Sequence, residues 1–144
     1  LSIRTVVVTG CIAIAGLLTG CAKMESMTGG GGSTDLISQL TKQTGVSEPQ
    51  AAGGVGAMLQ LAKESLTSGQ FDQVAKAIPG SQKYLDSAKK LLGGAKVGDK
   101  SGLQAAFGKL GMSPDMVAKF KPVVTDYAGK VGGEQVKSLL AGVL

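Results

Sequence analysis

Ser47-Glu48-Pro49-Gln50-Ala51-Ala52-Gly53-Gly54-Val55-Gly56-Ala57-Met58-Leu59-Gln60-Leu61-Ala62-Lys63-Glu64-Ser65-Leu66 reads as one long helix. Ser47 is an N-cap residue with Gln50 three positions on as its capping-box partner. Pro49 falls in the first turn, where its missing N–H is tolerated. Apolar residues then recur at Val55, Met58, Leu59, Ala62 and Leu66, offsets of 0, 3, 4, 7 and 11. That spacing marks a helix with one buried stripe.

The odd feature of this helix is Gly53-Gly54-Val55-Gly56, since each interior glycine costs on the order of 1 kcal/mol relative to Ala. Three explanations compete. A neighbouring helix packs so close that no side chain fits; or a groove brings a ligand or partner onto bare backbone; or the regular helix is lost there. Close packing is the first expectation for Gly53, Gly54 and Gly56.

Working outward, Leu36, Ile37 and Leu40 mark a short helix ended by Gly45. Phe71, Val74, Ala75 and Ile78 form a third stripe, stopped by Pro79-Gly80, and Ser81 caps a fourth helix bearing Tyr84, Leu85, Ala88, Leu91 and Leu92. The glycine- and charge-rich run Gly93 to Gly102 reads as a hinge or loop, with Gly94, Gly98, Gly102, Gly129 and Gly133 taken as loop glycines. Leu103, Ala106, Phe107 and Leu110 give a fifth helix ended by Gly111. Ser113 caps a sixth, with Pro114 at its first position and Met116, Phe120, Val123, Tyr127 and Val131 facing inward. Pro122 should kink that helix or divide it. A last helix after Gly132-Gly133 presents Val136, Leu139, Leu140 and Val143. No stretch alternates with a period of two, so the expected fold is all-α, a compact bundle of about seven short helices.

A weak internal repeat runs through this order. Gly45-Val46-Ser47 and Gly111-Met112-Ser113 each join a short helix to a longer one, and Gln73 to Ile78 echoes Gln135 to Leu140. The bundle would then comprise two pseudo-repeated halves; the competing explanation is chance recurrence of helix punctuation.

Thr44-Gly45-Val46-Ser47, Gln50-Ala51, Gly53-Gly54-Val55-Gly56, Leu61-Ala62-Lys63, Leu66 and Ile78-Pro79-Gly80 resemble the small bacterial VcgC/VcgE-type family. The likeness covers most of Asp35 to Leu144 and is strongest before Gly94. More loosely, the chain is similar to other glycine-rich helical bacterial proteins of unknown function. The family has no established activity, so the resemblance implies a helical, non-catalytic domain and carries over no site residues.

The N-terminal part carries the most specific motif. Arg4 precedes an apolar run from Val6 to Leu18, too short for the roughly 20 residues that span a bilayer, and Leu18-Thr19-Gly20-Cys21 closes it. The tetrapeptide resembles the lipobox of bacterial lipoproteins. The competing reading is an ordinary signal peptide or uncleaved anchor. The lipobox implies removal of residues 1–20 and lipid on Cys21, with two or more acyl chains giving stable anchoring where one is marginal. Ala22, in place of Asp, favours the outer over the inner membrane. Residues 21–33, with Gly29 to Gly32, read as a tether able to span about 40 Å, and residues 34–144 as the helical domain. No apolar strand precedes those glycines and no Lys-Ser/Thr follows, so they are not a phosphate loop.

Composition narrows the chemistry further. The chain has no His, which removes Ser-His and Cys-His nucleophile activation and imidazole ligation. Cys11 leaves with the leader and Cys21 takes lipid, so no thiol remains for a disulfide or metal. The 14 lysines after Cys21 are scattered, no Arg accompanies them, and no basic-aromatic interleaving occurs, which argues against nucleic acid. Acidic residues are spread thinly and propose neither an acid/base pair nor a calcium loop. Tyr84 and Tyr127 read as core residues with wet hydroxyls, and Met58, Met112 and Met116 as gap-fillers. No cofactor or metal is implied. The sequence therefore reads as an outer-membrane lipoprotein anchored through Cys21. It would present a non-enzymatic interaction or structural module to an envelope partner. The alternative is lipid or apolar small-molecule binding in space left between the Ala/Gly-rich helices.

Overall fold

Gly45, Pro79-Gly80, Gly93-Gly94, Gly111 and Gly133 stand where one helix gives way to the next. The structure is a computed structural model that describes residues 32–144. The apolar leader, the lipobox with Cys21, and the tether up to residue 31 lie outside the described residues. Seven helices occur among those described, and no strand: α1 (Gly32–Thr44), α2 (Glu48–Ser65), α3 (Ser68–Ala77), α4 (Ser81–Leu92), α5 (Lys100–Lys109), α6 (Met116–Gly132) and α7 (Glu134–Val143). None of them is long and apolar enough to cross a membrane. They form one compact unit. Its start at Gly32 lies inside the stretch read as tether, so Gly32 and Ser33 are helical.

α2 is the hub. It packs against all six other helices, and Ala51, Gly53 through Leu59, Leu61 and Ala62 are buried along it. The expected single stripe therefore understates the burial. The glycines and alanines between the large residues are enclosed as well, because neighbours approach from every side. Phe107, Phe120, Leu36, Leu40, Met58 and Leu59 are fully buried around this hub.

A Ser/Thr–Gln capping box stands at each end of α2, starting α2 itself at Ser47 and α3 at Thr67. Ser47 donates from both its backbone N–H and its Oγ to Gln50 Oε1 at 3.1 Å, while Gln50 Nε2 donates to the Leu110 carbonyl at 3.0 Å. One amide thus secures the start of α2 and ties it to the end of α5. Gln50→Ala removes both links and is expected to cost about 1 kcal/mol, whereas Gln50→Glu keeps the cap and loses the tie; urea titration of the two variants measures the difference. At the other end Thr67 begins α3 with a similar device, its Oγ1 accepting from the Gln70 N–H.

Several local expectations are corrected. Ser81 does not cap α4: Gly80, at φ 81°, takes that place, and Ser81 Oγ donates to the Ala75 carbonyl at 3.2 Å. Regular α6 begins at Met116 instead of just after Ser113. The Met116, Val117 and Ala118 amides each bond three residues back, a tight turn that Pro114 favours. Pro122 does not divide α6, which continues to Gly132. Pro122 lies on the exposed face, as does Ala118, whose carbonyl loses its usual helical donor there. Val131 and Leu91, expected inside, are 52% and 47% exposed. Gly102 and Gly129, expected in loops, lie within α5 and α6. The Gly102 N–H meets the Asp99 carboxylate at 2.6 Å, which makes Asp99 the N-cap of α5.

The halves share more than element order. α1 packs on α2 and also on α6, while α5 packs on α6 and also on α2. α3 and α7 each touch both long helices and one another. Exchanging α1 to α3 with α5 to α7 reproduces every one of these neighbour relations, and only α4 has no counterpart. Gly45 and Gly111 hold φ values of 73° and 76°, and Val46 and Met112 are both buried after them. Those glycines lie 66 residues apart, as do the starts of α3 and α7. The echo of Gln73 in Gln135 is therefore displaced by four residues. One helical turn preserves the buried face, which is why the sequence alone allows that slip.

Candidate functional site

The glycine window lies at the middle of the hub, and its three glycines face three neighbours. A Cβ on Gly56 would run into the Tyr84 carbonyl of α4 and come within 2.7 Å of the Ala88 Cβ. One on Gly54 would lie 2.6 Å from the Phe120 ring edge and 3.2 Å from Phe107. One on Gly53 would meet the ends of Leu110 and Leu91 at 2.8 and 2.9 Å. The helix runs unbroken through all three, and the space over each is filled by a neighbour, so no groove opens onto bare backbone here. Gly54 and Phe120 are also equivalent under the 66-residue shift. They face one another where the halves meet, and a large ring against no side chain avoids the clash of two like residues. Phe120 stacks edge-on with Phe107, ring centroids 5.1 Å apart at 81°.

A cleft lies elsewhere, between α2, α4 and the segment joining α4 to α5. Its volume is about 320 Å³, and Gln60, Lys63, Glu64, Gln82, Leu85, Lys89, Gly94, Lys96 and Val97 line it. Leu85 and Val97 are buried and form an apolar floor, with the charged groups on the exposed rim. The joining segment is fixed. Gly93 and Gly94 take left-handed conformations, the Gly94 N–H donates to the Lys89 carbonyl at 2.9 Å, and Val97 is 1% exposed.

The remaining polar groups are mostly satisfied locally. Buried Thr125 donates to the Lys121 carbonyl at 2.8 Å. Lys137 pairs with Asp126 at 3.1 Å, and that hydrogen bond raises the ammonium pKa; both side chains are well exposed, so the pair adds little stability. Burial, with Asp35 nearby on α1, raises the Tyr127 phenol above its ordinary value. Gln60 Oε1 is the one buried side-chain polar atom among the described residues with no hydrogen-bond partner. No group of three or more Cys, Asp or Glu side chains gathers there as metal ligands would.

Of the residues singled out in the sequence, Gly53, Gly54 and Gly56 come together at the hub, while Leu18, Thr19, Gly20 and Cys21 lie outside the described residues. The cationic cleft was not visible in the sequence. Lys63 and Lys89 stand in the last turns of two helices, a common place for lysine, and only the α2–α4 packing brings Lys96 to them.

Fold and site together define a small all-α domain wound about a buried, glycine-thinned helix, with one cationic cleft beside it. The chain belongs to the family described as "Protein of unknown function VcgC/VcgE (DUF2780)", whose profile matches residues 21–144. No curated protein matches the chain, and no solved structure matches it.

Proposed function

We propose that this chain is an outer-membrane lipoprotein anchored through Cys21, and that its helical unit serves on the periplasmic face as a non-enzymatic interaction or structural module. The observation that carries the reading is Leu18-Thr19-Gly20-Cys21 at the end of an apolar run that a charged residue precedes. The family match beginning at Cys21, the residue that would head the processed chain, agrees with it. Gly29 to Gly31 lie between that residue and the first helix and would let the unit stand off the membrane. The helical unit suits a structural role, since its small residues are spent on bringing helices together and its carboxylates are dispersed.

Cross-linking in intact cells, followed by purification of the full chain and identification of what travels with it, tests the module. A discrete envelope protein captured by the parent chain and lost from a form released from the membrane is the expected result. A chain that stays monomeric and uncross-linked in every envelope fraction would refute it.

A further inference from the structure

The cleft between α2 and α4 brings unlike groups together in a way that packing does not require. Lys63, Lys89 and Lys96 come to it from three separate segments, with Glu64 the one carboxylate opposing them. None of the three ammonium groups is ion-paired among the described residues, where the one pair is Lys137 with Asp126. Lys63 and Lys89 also answer the partial negative charge at their helix ends. Lys96 has no helix to serve, and its backbone is held at the rim by the ordered Gly93-Gly94 turn and by buried Val97.

The second observation is Gln60. Its side chain lines the same cleft, and its Oε1 is shut from solvent with no donor. A buried acceptor without a partner destabilises a domain, and a methionine or leucine of similar volume would not. A polar side chain kept in such a place fits a ligand that supplies the missing donor when the amide turns toward it.

We infer that the cleft formed by Gln60, Lys63, Lys89 and Lys96 binds a small phosphorylated polyol, the lysines holding the phosphate and the Gln60 amide oxygen accepting from a hydroxyl. The volume of about 320 Å³ suits a ligand of that size, and lysines act on phosphate as point charges. The same chemistry occurs free in solution and in the headgroup of a glycerophospholipid.

The purified full chain, titrated by calorimetry with glycerol 3-phosphate and with inorganic phosphate, provides the test. Sedimentation with phosphatidylglycerol or phosphatidylcholine vesicles separates the two sources. Saturable binding of glycerol 3-phosphate, weakened about tenfold by Lys96→Gln and again by Lys89→Gln, is the expected result. Gln60→Met should abolish the preference for glycerol 3-phosphate over inorganic phosphate while leaving the melting temperature unchanged or raised. Binding to phosphatidylglycerol vesicles alone, with the same dependence on Lys96 and Gln60, supports the headgroup as source. Absence of saturable binding in every arm overturns the inference. So does binding that Lys96→Gln leaves intact, or an equal response to Lys119→Gln on α6, which contributes nothing to the cleft lining.

Discussion

Gly56→Ala is expected to destabilise the helical unit by about 3 kcal/mol, lowering its melting temperature by about 12 °C at this size. Two effects oppose each other. Alanine is the better helix former by about 1 kcal/mol, and at an open helical position that gain would stand alone. At Gly56 the added methyl meets the Tyr84 carbonyl, and backbone cannot swing aside as a side chain can. α4 must retreat as a body, along the contact that joins it to the hub. The neighbouring glycines grade the effect. Gly54→Ala presses on the ring of Phe120, which is fully buried and braced by Phe107, so it should cost less than Gly56→Ala but remain destabilising. Gly53→Ala meets only the ends of Leu110 and Leu91, and Leu91 is half exposed and free to move, so the change should be small. Gly108→Ala, with nothing within 4 Å, should be neutral or raise the melting temperature. Thermal melts of the four variants decide the matter: equal shifts at all four positions would mean the glycines do not set the helix spacing.

Much of this architecture was legible in the sequence, because helical periodicity and stop signals are local. The breaks at Gly45, Pro79-Gly80, Gly111 and Gly133 all correspond to turns between helices, and the glycine at each takes positive φ. What the residue pattern could not give is what depends on three dimensions. A stripe of large residues on α2 looked one-sided, since glycine and alanine carry no apolar signal of their own, yet they are what lets six helices reach it. Val131 satisfies helical spacing on α6 but is about half exposed. Gly132 gave no sign that its missing side chain admits Ala77 of α3, whose Cβ would lie 2.5 Å from an added methyl. Gln50 was readable as a capping partner, whereas its second bond to Leu110 spans 60 residues of sequence and only the fold creates it. The cationic cleft is invisible for the same reason. Its lysines look like ordinary solvated charges until α4 and the segment after it are laid against α2.

The lipobox and the helical unit make separate statements, and they fail separately. A misread glycine window would leave the anchor untouched, and an unlipidated chain would still fold around α2. The anchor is the broader claim, because it determines where the module and any cleft ligand meet. Losing even one long acyl chain removes on the order of 10 kcal/mol of membrane affinity, so the expected effect is close to all-or-none. The direct measurement is radiolabelled palmitate incorporation in the parent chain and in Cys21→Ser, with the intact mass of each product. The expected parent chain begins at Cys21 and carries label, and the expected Cys21→Ser chain is unlabelled and retains residues 1–20. An unlabelled parent chain, or a Cys21→Ser chain labelled to the same extent, would contradict lipidation at Cys21.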